Sequence, residues 1–336
     1  PRRRAPLLPL IPFMFRTLHR RAISLAALSF LGAPVAAHAQ AAPTAPLVAQ
    51  EFDKLHFRSI GPATMSGRIS DLAIYEANPA IWYVGTAHGG VWKTTSNGAM
   101  FTPLFQEQGL IAIGDVAVSQ TNPDLVWVGT GESNNRQSTS WGSGIYKSTD
   151  GGKTFTSMGL PQSKHINRIV MHPTNNDVVL VASTGPLFGP GGERGVYKTT
   201  DGGTSWKQVL KVDDETGAND LVMSATDPNI LFASTYQRRR SAYGFDGGGP
   251  GSALWKSTDA GVTWSKLTGH GLPDGEYGRI GIGVYRQNPK ILTVSIEQGA
   301  RYNASTAYIV RKAGVYRSED AGATWAFMSD WNPRPM

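Results

Sequence analysis

After about residue 68 the chain alternates apolar and polar positions with a period of two, as in DLAIYEANPAIWYVGT (71–86) and VMHPTNNDVVLVAST (170–184). The apolar positions hold β-branched and aromatic residues, which suit a pleated, buried surface, and no helical period is sustained. Short β-strands are therefore predicted throughout, with Asn-Pro and Asp-Pro pairs punctuating between runs.

The strand pattern repeats. Five units emerge: RISDLAIYEANPAIWYVGT with GGVWKTTSNGAMF (68–101), IGDVAVSQTNPDLVWVGT with GIYKSTDGGKTF (113–155), INRIVMHPTNNDVVLVAST with GVYKTTDGGTSW (166–206), NDLVMSATDPNILFAST with ALWKSTDAGVTW (219–264) and RIGIGVYRQNPKILTVSI with GVYRSEDAGATW (279–325). Ser96, Asp150, Asp201, Asp259 and Asp320 hold corresponding positions, 54, 51, 58 and 61 residues apart. Each unit reads strand, Asn-Pro-type turn, strand, variable loop, strand, Asp-Gly turn, strand. Four antiparallel strands per tandem unit predict an all-β fold, a β-propeller of four-stranded blades over about 68–104, 113–160, 166–210, 218–273 and 278–330. With no sixth unit after the last box, these five blades are expected to be part of a larger propeller.

In the repeated box S/T-x-D-x-G-x-S/T-W/F the carboxylate can accept backbone N–H bonds across the turn. Glycine allows the positive φ of a tight hairpin, and the terminal aromatic ring returns to pack between layers. Four aspartates at one blade position, Asp150, Asp201, Asp259 and Asp320, point to a role in the fold, because a catalyst is seldom needed four times. The first unit agrees: its box has become TTSNGAMF while its strands persist.

Composition changes the picture at the N-terminus. Formal charge is +7, yet six of the 32 Lys and Arg (Arg2, Arg3, Arg4, Arg16, Arg20, Arg21) and no acidic residue fall within 1–39, and the remainder carries 26 basic against 25 acidic groups. A basic stretch, an apolar stretch (22–37) and Ala37-His38-Ala39 form the pattern of an export signal cut before Gln40, with Met14 as its start. The apolar stretch is too short and too interrupted by Gly32 and Pro34 for a membrane span. Residues 40–56 read as a flexible lead-in. The expected mature protein is exported, with no membrane span and no nucleic-acid role for so balanced a charge. There is no cysteine, which excludes disulfides, thiolate metal sites and a Cys nucleophile. His56, His88, His165, His172 and His270 show no metal-ligand spacing, so neither metal nor cofactor is expected.

Propeller topology puts the Asn-Pro and Asp-Gly turns on one face and the loops between second and third strands on the other. Those loops are long in units two to five, and they supply the ligand-binding candidates Glu132, Arg136, Trp141, Arg194, Tyr236, Arg238, Tyr243, Arg301 and Tyr302. Arg238-Arg239-Arg240 reads as a solvated loop tip, or else as a neutraliser of an acidic ligand. Arg68, Asp71, Asp115, Arg168, Asp220 and Arg279 sit at inner-strand entrances of that face. Of these, Asp71, Asp115, Arg168 and Asp220 are equivalent and would ring the channel mouth, either pairing with one another to order the blades or forming a polar funnel for a ligand.

The boxes resemble the Asp-box, or BNR, repeats of sialidases, xyloglucan-hydrolysing glycosidases and the Vps10/sortilin propellers. FRSIGPATMSGRISD (57–71), GTAHGGVWKTTSNG (85–98), IGDVAV (113–118), GSGIYKSTDGGKTF (142–155) and RGVYKTTDGGTSW (194–206) extend the resemblance to large bacterial exported proteins with a sortilin-type N-terminal propeller, often labelled glycosyl hydrolases. The resemblance implies a propeller that captures a peptide, protein or carbohydrate on its loop-rich face. Glycoside hydrolysis is the alternative, and it requires two carboxylates flanking the scissile bond. Where the xyloglucan-hydrolysing relatives carry one, in RTDIGG, this chain has GTAHGG with Ala87 at the Asp position. The arginine triad of sialidases cannot be assembled from these residues.

Overall fold

The structure, a computed structural model, describes residues 68–135, 139–298 and 313–329. The expected leader and lead-in, as well as Arg136, Arg301 and Tyr302, lie outside the described residues.

Among the described residues the chain folds into five antiparallel sheets in sequence order. The first comprises β1 (Ile69–Ile74), β2 (Trp82–Thr86), β3 (Val91–Thr94) and β4 (Thr102–Pro103), and the second β5 (Ile113–Val118), β6 (Val126–Thr130), β7 (Ile145–Ser148) and β8 (Thr156–Ser157). The third holds β9 (Ile166–Met171), β10 (Val179–Ser183), β11 (Gly195–Thr199) and β12 (Lys207–Leu210). The fourth holds β13 (Thr216–Met223), β14 (Leu231–Arg240), β15 (Phe245–Gly247), β16 (Ala253–Ser257) and β17 (Ser265–Leu267). The fifth holds β18 (Tyr277–Val284), β19 (Leu292–Gln298), β20 (Gly314–Ser318) and β21 (Ala326–Ser329).

Alternation along the second strand of each sheet explains how the sheets stack. On β6, Val126 and Val128 enter the core shared with the first sheet, while Trp127 enters the core shared with the third. On β10, Val179 and Val181 face the second sheet while Leu180 and Ala182 face the fourth. On β14, Leu231 and Ala233 face the third sheet and Phe232 the fifth. Each inner sheet is thus buried on both faces, and the cores lie between sheets rather than within one. At roughly 25 cal/mol per Å² of apolar area, these interlayer contacts are the main stabilising term.

The turn-bearing face is uniform. In the second sheet Ser148 Oγ donates to Asp150 Oδ1 (2.7 Å) and accepts the Gly152 N–H (2.8 Å), while Asp150 accepts from the Thr154 N–H (2.9 Å) and hydroxyl (2.6 Å). The same set recurs around Asp201, Asp259 and Asp320. In the first sheet Ser96 Oγ keeps part of the set, the Met100 N–H at 2.9 Å and the Thr94 hydroxyl at 3.4 Å. These hydrogen bonds, from the Thr and Ser hydroxyls first, hold all four aspartates below the usual carboxylate range, Asp201 and Asp320 down to about 2. Box and Asn-Pro-type turns touch within each blade, as in Gly151 N–H to the Asp124 carbonyl (2.9 Å) and Ala321 N–H to the Lys290 carbonyl (2.9 Å), so both turns share one face.

Adjacent blades are riveted at the same face. Lys93 Nζ donates to the Gly151 carbonyl (2.8 Å), Lys147 to Gly202 (2.9 Å), Lys198 to Ala260 (2.8 Å) and Lys256 to Ala321 (2.7 Å), each reaching from one blade into the next box. Three of them also lie over the ring of a second-strand aromatic, Tyr83, Trp127 or Phe232. Arg286, after β18, makes a two-pronged ion pair with Glu76, after β1, so the fifth and first sheets also meet here.

One expectation is corrected. Arg238-Arg239-Arg240 is not a solvated loop tip, because β14 continues through Arg240 and pairs with β15, Arg238 opposite Gly247 and Arg240 opposite Phe245. The hairpin satisfies the backbone of what the sequence presents as a Gly-rich loop, and Arg238 is buried within it.

Candidate functional site

The site lies on the face opposite the boxes. A β-bulge at the entrance of each inner strand builds its floor: pairing skips one residue between Ile69 and Asp71, Ile113 and Asp115, Ile166 and Arg168, and Ala218 and Asp220. A bulge re-aims the side chain that follows it, so the four charged residues converge. Arg168 lies 3.7 Å from Asp71, 3.4 Å from Asp115 and 3.2 Å from Asp220. In the fifth sheet the bulge falls between Tyr277 and Ile280, and Gly281 takes the equivalent place; Arg279 stands outside the ring.

Each aspartate also caps the next blade. Asp71 Oδ2 accepts the Val116 N–H (3.3 Å), Asp115 Oδ2 the Ile169 N–H (2.7 Å) and Asp220 Oδ2 the Ile282 N–H (2.8 Å). Arg168 has no acceptor to offer, so the Leu221 N–H turns to Asp220 Oδ1 (2.9 Å) instead. Burial raises the pKa of Asp71 and, more strongly, of Asp115, against the pull of Arg168. Burial also works against the Arg168 charge, but the three carboxylates together outweigh it and hold that pKa above its ordinary value.

Above this floor Glu132 is fully buried and takes Arg68 at 2.6 Å. Arg68 also donates to His88 Nδ1 (3.2 Å), which makes Nδ1 the acceptor and puts the proton on Nε2, the nitrogen 2.6 Å from Ser140 Oγ. The contact between serine and histidine therefore has the wrong tautomer for a general base, which would need a lone pair facing the hydroxyl. Sequence reasoning missed His88 and Ser140 as site residues. Nothing in their spacing announces them, since blades one and two bring them together.

Arg194 is buried and occupied by its own loop: its guanidinium donates to the carbonyls of Thr184 (2.5 Å), Gly189 (2.7 Å), Gly191 (2.9 Å) and Pro186. It acts as a loop staple. Tyr236 is buried and its hydroxyl accepts from Asn135 Nδ2 at 3.2 Å, while Arg279 neighbours Glu297, whose carboxylate accepts the Arg279 N–H at 3.3 Å. His165, fully buried, contacts the Glu132 carbonyl through Nδ1 (3.1 Å), and burial, then the Arg238 charge, pull it down to about 3. Trp141 is 54% exposed and stands beside the exposed Phe188 at a ring-centroid distance of 6.5 Å; Tyr243 is 97% exposed. Among the described residues no cluster of three or more His, Cys, Asp or Glu could hold a metal ion. No described helix is long and apolar enough to cross a membrane.

Comparison with known proteins follows this geometry. The Sortilin-Vps10 family, described as sortilin, neurotensin receptor 3, matches residues 143–272. A xyloglucanase of Hypocrea jecorina is 26% identical over 239 residues, 64% of this chain and 27% of that protein. Xyloglucanase Xgh74A of Acetivibrio thermocellus is 28% identical over 142 residues, 42% of this chain and 15% of that protein. The chain thus spans about a quarter or less of these relatives' length. Among solved structures, the Niastella koreensis GH74 enzyme superposes with a TM-score of 0.56 at 21% identity (77% of this chain, 38% of that one), and an ancestral GH74 enzyme with 0.57 at 18% (78% and 31%). Five stacked antiparallel sheets with the box turns on one face make the chain a β-propeller, similar to the Vps10 family over residues 143–272 and to xyloglucanases in sequence and fold.

Proposed function

We propose that this chain is the glycan-binding part of an exported propeller, and that it binds through its loop-rich face. The observation that carries this reading is the exposed Trp141–Phe188 pair, contributed by the loops of two neighbouring blades, with Trp141 next in sequence to Ser140 and its bond to His88. Aromatic faces with polar neighbours suit the apolar ring faces and hydroxyl edges of sugars. The xyloglucanase relatives support a carbohydrate over a peptide.

Hydrolysis is the second reading, favoured by the approach of Asp71 and buried Asp115 to one guanidinium nitrogen. Against it, both carboxylates are already bonded to the backbone of the next blade, and Asp115 is buried rather than flanking an open cleft. Titration with xyloglucan oligosaccharides tests both readings. Binding that falls at least about tenfold in Trp141→Ala, with no reducing-sugar release, is the expected result. Sugar release abolished by Asp115→Asn would replace binding with hydrolysis.

A further inference from the structure

Arg238 is a buried cation that lacks a counter-ion among the described residues. Its side chain sits in a residue only 3% exposed, Nε has no hydrogen-bond partner, and the bond from Nη2 to Thr184 Oγ1 is long at 3.4 Å. The charged groups acting on it, Arg279, Arg194 and Arg240, share its sign, and the adjacent Tyr236 phenol is kept neutral by burial, its pKa pushed up to about 12. The next residue shows the contrast. Arg239 points to the other side of β14 and pairs with Glu215 at 2.7 Å.

A guanidinium cannot shed its charge at any ordinary pH, so burying it without an anion is unfavourable unless something completes it. Other orphaned groups lie nearby. His165 Nε2 and Asn135 Oδ1 are both buried without partners. Because His165 Nδ1 faces the Glu132 carbonyl and must donate to it, Nε2 presents a lone pair. These groups belong to one neighbourhood: Thr184 Oγ1 lies 3.4 Å from Arg238 and 3.5 Å from the His165 carbonyl, and Asn135 bonds Tyr236, two residues from Arg238. The unmet set is therefore one cationic donor and two neutral acceptors.

A ligand that fits this set carries an anion to accept from Arg238 and hydroxyls to donate to His165 and Asn135. Resting on the glycan-binding reading, we propose that the loop-rich face recognises an acidic sugar, its carboxylate seated on Arg238 and its hydroxyls on His165 Nε2 and Asn135 Oδ1. A cleft of about 330 Å³ borders the same stretch of β14, lined by Glu215, Gln237, Arg238, Arg239, Asp246 and Gly248. The Arg240 N–H bonds the Leu187 carbonyl at 3.0 Å, so the strand carrying Arg238 adjoins the loop of Phe188 and the aromatic pair.

The test is calorimetric titration of the full chain with D-glucuronate and, as the neutral match, D-glucose. Glucuronate is expected to bind at least about tenfold tighter, with the preference shrinking as salt rises. Arg238→Gln should abolish that preference, and Arg238→Lys, which keeps the charge but loses the fork, should retain part of it. Equal affinity for the two sugars, or an unchanged preference in Arg238→Gln, overturns the proposal. Should Arg238→Gln fail to fold by circular dichroism, the wild-type preference and Arg238→Lys still decide. Xyloglucan oligosaccharides titrated in parallel keep the readings apart: their binding without a glucuronate preference sinks the acidic-sugar site alone, and a glucuronate preference without their binding sinks the neutral-glycan reading alone.

Discussion

The two faces of this propeller are built on opposite plans. On the box face four of the five blades repeat one solution, a Ser or Thr hydroxyl, an aspartate and a left-handed turn closed by local hydrogen bonds, and the first four blades each send a lysine into the next. On the loop face no two blades agree. There, groups distant in sequence converge, as Arg68 does with Glu132 and Asn135 with Tyr236, and several buried polar atoms keep no partner. Repetition closes the box aspartates and turns with local hydrogen bonds, whereas divergence leaves unmet hydrogen-bonding capacity around Arg238, His165 and Asn135 that a ligand can fill.

The contrast breaks first at the floor. Arg168→Met would leave three carboxylates facing one another, Asp115 among them fully buried, and should cost about 2–3 kcal/mol after discounting for the partial exposure of Arg168. Urea unfolding measures it, and the loss should shrink as pH falls and Asp115, its pKa already raised by burial, takes up a proton. An unchanged midpoint would mean that the ring does not couple the blades.

The pH dependence of His165 sharpens the contrast next. Its folded pKa, about 3, lies below the ordinary value of 6.5, so it contributes stability fully present above that value and lost as pH falls from 6.5 toward 3. Replacing it with Phe should flatten this part of the stability curve, worth on the order of 3 kcal/mol. The box aspartates, depressed by their hydrogen bonds, lose their contribution lower, below their unfolded pKa near 4.

The smallest effect tests the box face. The residue after the box Asp, or after Ser96 in the first blade, has positive φ in every blade, but blades four and five place Ala260 (φ 58°) and Ala321 (φ 59°) where blades two and three have Gly151 and Gly202. Alanine is strained there, so Ala260→Gly should stabilise by about 0.5–1 kcal/mol, part of which the looser unfolded chain offsets. A lower melting temperature would show that the alanine methyl packs usefully.

How much could be read from the sequence follows the same division. The fold was legible because interlayer burial leaves a period-two trace and the box turns are local. Clustering of Asp71, Asp115, Arg168 and Asp220 was legible too, since equivalent positions in a radial repeat must meet near its axis. That Arg168 replaces a backbone cap was not, because a cap is a contact between blades. The Gly-rich segment 241–252 hid the hairpin that buries Arg238, since propensity read glycine as loop while tertiary pairing made strand. His88, Ser140, His165 and Asn135 left no signal, each depending on a neighbour brought close only by stacking.

By itself, then, the sequence determined five sheets, their order and the face that bears the box turns, because alternation and turn chemistry act over a few residues. The tertiary structure alone decided which charges are neutralised, which carboxylates cap a neighbouring blade and which buried donors and acceptors stay open. Those outcomes depend on distances between blades, which no stretch of residues encodes locally.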